Sequence, residues 1–150
     1  MKRIPYRQER LLVLETNIDD MTPQGFELVY ERLFKAGALD VWVETILMKK
    51  MRPAFKLCVL SVPQHKEKIL KKIFQETPTL GVRCFELDRF SLSRKQIKVK
   101  TRFGPLRVKI GYLDSQHRKV NPEYEDLKRI AQRKNLPFHV VLAEIKKELA

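Results

Sequence analysis

Two adjacent carboxylates, Asp19 and Asp20, follow an apolar run, Leu11-Leu-Val-Leu14, and a short polar stretch ending in Asn17 and Ile18. Neighbouring carboxylates at a strand end suit a hard divalent cation, which prefers oxygen ligands. They also suit the start of a helix, where the dipole favours negative charge. A second cluster, Lys49, Lys50 and Arg52, lies in a segment with the composition of a loop. Lysine supplies a point charge and arginine a planar fork that matches phosphate oxygens. A third cluster is Thr77, Thr79, Gly81 and Arg83. Its hydroxyls and amides can meet oxygens, its arginine can clamp an anion, and its glycine admits unusual backbone angles or close approach by a ligand. No GxxxxGK[ST] segment, HExxH pair or Cys/His zinc spacing accompanies them. Nothing in the sequence supports covalent hydrolytic catalysis; Glu15 and Glu44 could serve as acid–base groups if buried, and the catalytic residues stay unassigned.

These clusters gain meaning from the elements that carry them. Leu11–Leu14 is apolar on both faces, as a central strand must be. Thr22 reads as a helix N-cap with Pro23 at the first helical position, followed by a stripe of Phe26, Val29, Tyr30, Leu33 and Phe34. Gly37 ends that helix. Strands follow over about 39–47 and 55–62. A helix opened by Pro63 has Ile69, Leu70 and Ile73 inward, and a fourth strand covers 82–87. Cys58 and Cys84, each in a strand-like run, are expected to be buried thiols. The order βαββαβ is that of the ferredoxin-like split fold. Right-handed crossovers then make the first two strands run in one sense and the next two run back. All three clusters fall at one edge of the sheet. Carboxylates beside lysines and an arginine are the composition of a metal–polyphosphate site.

Beyond residue 90 the pattern changes. Ile97, Val99, Thr101 and Phe103 alternate with Lys98, Lys100 and Arg102; after Gly104-Pro105, Leu106, Val108 and Ile110 alternate with Arg107 and Lys109. Period two in both arms makes a hairpin with one apolar and one basic face. From 88 to 109 there are eight basic residues against one acidic residue. Like charges facing one another across a ribbon repel, so solvent, flanking acids or a bound anion must offset them. Two helices close the chain. One is capped by Asn121 and opened by Pro122, with Tyr124, Leu127, Ile130 and Ala131 inward. The other opens at Pro137 or Phe138, with Val141, Leu142, Ile145 and Leu149 inward. The fold class is therefore α+β, a ferredoxin-like βαββαβ unit at residues 11–90 followed by a basic hairpin and helical extension at 91–150.

The 150 residues carry 31 Lys and Arg against 18 Asp and Glu, a formal net charge of +13. That excess points to an anionic partner. No apolar run reaches the roughly 18 residues of a membrane span, and Met1 to Arg10 is too polar for a signal peptide. The expectation is a cytoplasmic protein with no membrane partner. Two other readings stay open at this level, a nucleic-acid-binding ferredoxin-like module and a self-associating structural or regulatory domain.

Leu14-Glu-Thr-Asn-Ile-Asp-Asp-Met21 followed by Ala36-Gly-Ala-Leu-Asp-Val41 resembles the C-terminal domain of the nickel-insertion proteins that mature the nickel-pincer cofactor of lactate racemase. Met48-Lys-Lys-Met-Arg-Pro53, Thr77-Pro-Thr-Leu-Gly-Val-Arg83 and Asn121-Pro-Glu-Tyr-Glu-Asp-Leu127 extend the likeness over about residues 12–141. The resemblance implies binding of CTP with Mg2+ or Mn2+, and nickel as the metal inserted into a pyridinium mononucleotide precursor. By the same resemblance Asp19 and Asp20 match the acidic pair, Lys49, Lys50 and Arg52 the basic loop, and Gly81 with Arg83 the Gly-x-Arg turn, with Thr79 beside it. Met51 and Ala54 stand where the family commonly has glycine, and Pro78 interrupts a run of threonines. The histidine-rich N-terminal region of full-length members has no counterpart here. The implied partners are a separate N-terminal family domain and further copies in a homo-oligomer, and a complete reaction is not expected of this chain alone.

Overall fold

The structure is a computed structural model that describes residues 6–114 and 116–149. Residues 1–5 of the polar opening segment lie outside the described residues. The described residues divide into two compact units, one of residues 8–89 and one of the residues from 90 onward together with Tyr6 and Arg7.

The first unit is built on β1 (Tyr6–Ile18), α1 (Gly25–Ala36), β2 (Asp40–Met48), β3 (Arg52–Ser61), α2 (Lys66–Glu76) and the opening of β4 (Arg83–Thr101). Its strands lie in the order β2-β3-β1-β4. β3 is antiparallel to both β1 and β2, so β1 and β2 run in the same sense, as the crossover rule requires. Alternate residues of β1 (Leu12, Leu14, Ile18) face the helices and meet Leu57, Val59 and Val41. Phe26, Val29, Leu33, Ile69 and Ile73 from α1 and α2 close this core. The intervening residues Glu15 and Asn17 occupy the opposite face, because successive side chains of a strand alternate.

Gly37 ends α1 at φ 103°, with its N–H donating to Phe34 O and that of Ala38 to Leu33 O. A side chain here would be strained by the backbone angle and would meet the His65 ring, whose Nδ1 lies 3.0 Å from Gly37 O. The other end of α1 departs from the sequence expectation. Thr22 is not the cap; Thr22, Pro23 and Gln24 form a turn closed by Gly25 N–H to Thr22 O, and the helix begins at Gly25. Met21 folds over Gly25 so closely that a Cβ would lie 2.5 Å from its methyl carbon, which suits this position to glycine. Phe34 is half-exposed rather than inward, since the narrow buried stripe is already filled by Phe26, Val29, Leu33 and Ala36. Pro63 opens a short 3-10 turn, and α2 proper starts at Lys66. Cys58 is buried, but Cys84 is exposed, because the strand that carries it has few residues packed over it in this stretch.

In the second unit the remainder of β4 pairs with β5 (Gly104–Tyr112), turning at Gly104, φ 108°. A third strand, β6 (Arg118–Pro122), pairs with β5. This strand is not expected from the sequence; Asn121 and Pro122, which by type suit a helix start, instead belong to the β6 ladder. The helix α3 (Tyr124–Lys134) starts after Glu123, and α4 (Phe138–Leu149) follows. Leu106, Val108 and Ile110 pack on Leu127, Ile130, Ala131, Val141 and Ile145. Tyr124 is exposed against Phe138, with ring centres 5.4 Å apart, because the inward stripe begins one turn later at Leu127. Phe103 sits in the hairpin turn rather than continuing the alternation.

Candidate functional site at one edge of the first sheet

The register of the ladders decides what the first edge holds. Ile18 pairs with Phe55 and Met48 with Arg52, so the segment after β1 and the loop between β2 and β3 lie side by side. Asp19 and Arg52 meet there, Nη1 to Oδ2 at 3.2 Å, which joins the acidic pair to the basic loop. Lys49 and Lys50 sit exposed on a 3-10 turn within that loop, and Asp20 is exposed beside Asp19. Lys50 and Met51 both have positive φ, 62° and 56°. Glycine adopts such angles freely, whereas a side chain there carries strain.

The third cluster reaches the same edge through β4. Arg83 donates from Nε to Glu15 Oε1 at 2.9 Å and from Nη2 to Asn17 Oδ1 at 2.7 Å. Arg89 pairs with Glu9 further along, so β4 runs back along β1. The turn before Arg83 is tied to the sheet by Thr16, which is 1% exposed. Its hydroxyl donates to Gly81 O at 2.7 Å and contacts the Thr79 hydroxyl at 2.5 Å. Gly81 N–H points at Thr79 Oγ1, 3.4 Å away. Gly81 itself does not use a left-handed backbone angle, and the space where a Cβ would stand is open. Thr77 is turned away from the cluster: its N–H and Oγ1 both donate to Ile73 O and close α2.

The opposite face of the sheet carries a charge ladder that includes both Glu15 and Glu44. Lys56 lies 2.7 Å from Glu44 and 3.9 Å from Glu15. Trp42 Nε1 donates to Glu44 at 3.0 Å. Bonding to Lys56 holds the Glu44 carboxyl below its ordinary value and raises that of the Lys56 ammonium. Cys58 lies beneath them, and burial pushes its thiol up to about 11. Glu15 and Asn17 are the residues that orient Arg83, and Thr16 is the one that seats the turn. Their signal was present in a polar residue on each side of a buried strand position, Glu15-Thr16-Asn17, directly after the apolar run Leu11–Leu14.

Asp19 and Asp20 provide two carboxylates and no third ligand; among the described residues no group of three His, Cys, Asp or Glu side chains could hold a metal. That donor set fits a cation that keeps waters or takes substrate oxygens, as Mg2+ does. Among the described residues, no helix is long and apolar enough to cross a membrane.

The family described as nickel insertion protein matches residues 2–142. A pyridinium-3,5-bisthiocarboxylic acid mononucleotide nickel insertion protein of Thermotoga petrophila is 41% identical over 144 residues, covering 96% of this chain and 36% of its own length. The protein of that name from Clostridium acetobutylicum is 44% identical over 140 residues, covering 93% of this chain and 33% of its own. The chain thus spans about a third of these relatives. A solved apo structure of LarC2, the C-terminal domain of a cyclometallase involved in synthesis of the NPN cofactor of lactate racemase, superposes with a TM-score of 0.86 at 37% identity. The match covers 93% of this chain and 99% of that one. A Methanopyrus kandleri protein at 21% identity and TM-score 0.66 shares the fold. With its sequence matched almost end to end and its fold that of LarC2, the chain belongs to the nickel insertion protein family.

Proposed function

We propose that this chain is the CTP- and divalent-metal-binding domain of a nickel-insertion enzyme that matures a nickel-pincer nucleotide cofactor. The observation that carries the reading is the Asp19–Arg52 contact, with Arg83 anchored on Glu15 and Asn17 at the same edge. Opposite charges from three separate segments meet there, as a metal-bound polyphosphate requires. In this reading Lys49, Lys50, Arg52 and Arg83 hold the triphosphate, Thr79 and Gly81 offer polar contacts, and Asp19 or Asp20 binds Mg2+ or Mn2+. The ion would neutralise phosphate charge. Arg52 would exchange its carboxylate partner for phosphate when the ion takes Asp19. Arg83 is held in place by neutral and acidic partners, so it meets phosphate without first being ordered.

Nickel is cargo in this scheme, and the pyridinium mononucleotide is the substrate. The domain works in the cytoplasm with the separate N-terminal part of its family and in a homo-oligomer. The direct test is calorimetry with CTP, with and without Mn2+. Saturable binding that strengthens with Mn2+ and weakens in Asp19→Asn and Arg83→Met supports the reading. No metal-dependent binding at millimolar nucleotide refutes it.

A further inference from the structure

The basic face of the C-terminal hairpin is only partly neutralised. Lys109 meets Glu123 at 2.7 Å, and Arg107 forks onto Asp126, Nε to Oδ2 at 2.9 Å and Nη2 to Oδ1 at 2.8 Å. The backbone N–H of Arg107 donates to the same carboxylate at 2.9 Å, and Arg129 contacts its Oδ1. Asp126 is 5% exposed, so this carboxylate is a buried post that holds two guanidinium groups in fixed positions. Both arginines remain partly exposed, 41% and 68% of their side chains. Lys98 stands directly opposite Arg107 in the β4–β5 register, and among the described residues it has no acidic partner.

These groups line one cavity of about 440 Å³ together with Pro105 and Leu106. Three cations share it with one carboxylate, an excess of two positive charges. Glu123 and Glu125 also act on Arg107 from outside the cavity lining. A pair of like charges facing across two strands is unfavourable until an anion bridges it. Arginines pre-oriented by a carboxylate present their remaining N–H groups to planar or tetrahedral oxyanions at low ordering cost.

We propose that the Lys98–Arg107–Arg129 cavity binds a phosphate group, carried either by the free ion or by a mononucleotide. The site lies wholly in the second unit and stands independently of the nucleotide reading at the Asp19–Arg52 edge. A dianion matches its charge excess, and one cavity of this size suits a small molecule rather than a long polyanion.

The test is NMR titration of the full chain with inorganic phosphate and, separately, with CMP, following the amides of Lys98, Arg107, Asp126 and Arg129. Saturable shifts are expected with at least one probe, weakened roughly tenfold in Lys98→Gln/Arg129→Gln. Arg107 is left intact in that variant, so Asp126 keeps its main partner and the fold is retained. Lys49→Gln/Arg52→Gln should leave these shifts unchanged, which separates this site from the first. Tighter binding of CMP than of phosphate assigns the site to a mononucleotide, and equal affinity assigns it to the free ion. The proposal is overturned if neither probe saturates at millimolar concentration, if the double variant binds as well as the parent, or if only an RNA oligomer shifts these amides.

Discussion

Thr16→Val isolates the bond that seats the turn before Arg83. Valine has the shape of threonine, so packing in the core is kept while the hydroxyl is lost. Two hydrogen bonds go with it, to Gly81 O and to Thr79 Oγ1. At about 1 kcal/mol each they sum to about 2 kcal/mol. Gly81 is exposed and Thr79 partly so, and both can turn to water, so no further penalty for orphaned groups is added. Burying a methyl group in place of the hydroxyl at a position 1% exposed returns about 0.5 kcal/mol. The expected loss is about 1.5 kcal/mol, a fall of about 1 M in the urea midpoint. Trp42 is the chain's one tryptophan and stands on β2, so its fluorescence reads the unit in which the change is made. Thr79→Val should cost less, about 0.5 kcal/mol, because Thr16 keeps its bond to Gly81. A Thr16→Val protein as stable as the parent, or less affected than Thr79→Val, would refute the reasoning that this hydroxyl ties the turn to β1.

Other outcomes follow from the same geometry. The contacts of Arg107 hold the Asp126 carboxyl well below the usual carboxylate range, so its stabilisation is complete above the unfolded value of about 3.9 and fades as pH falls below it. Asp126→Asn should cost about 3 kcal/mol near neutral pH, with the gap to the parent narrowing below about pH 4. Hydrogen exchange at the Arg107 and Val108 amides reads this locally. Met51→Gly should raise the urea midpoint, by about 0.5 kcal/mol in stability, because glycine accepts φ 56° without strain, whereas Met51→Ala should not. A thiol reagent at pH 8 should label Cys84 rapidly and leave Cys58, whose thiol sits near 11 beneath the Glu44–Lys56 pair, unlabelled until the protein unfolds.

Hydrophobic alternation and turn chemistry were enough to read β1, β2, β3, both helices of the first unit and the two arms of the basic hairpin. Those signals are local, since a strand's faces and a helix's stripe are written in neighbouring residues. Topology followed as well, because handedness restricts how βαβ units wind, and it put the three charged clusters on one edge. Local signals failed where another contact competes with them. Thr22 looks like a cap but opens a turn that precedes the helix, and Thr77 looks like a ligand until its hydroxyl closes α2. Pro122 looks like a helix start until β5 offers β6 a ladder to join.

What the sequence determined by itself is therefore the α+β order, the sidedness of each element and the kinship with nickel insertion proteins. Tertiary structure alone decided which charges touch. Only register brings Asp19 to Arg52, Glu15 and Asn17 to Arg83, and Lys98 to Arg107 with Asp126 behind it. A side chain's partner depends on ångström-scale placement across strands far apart in the chain, and composition carries no record of that distance.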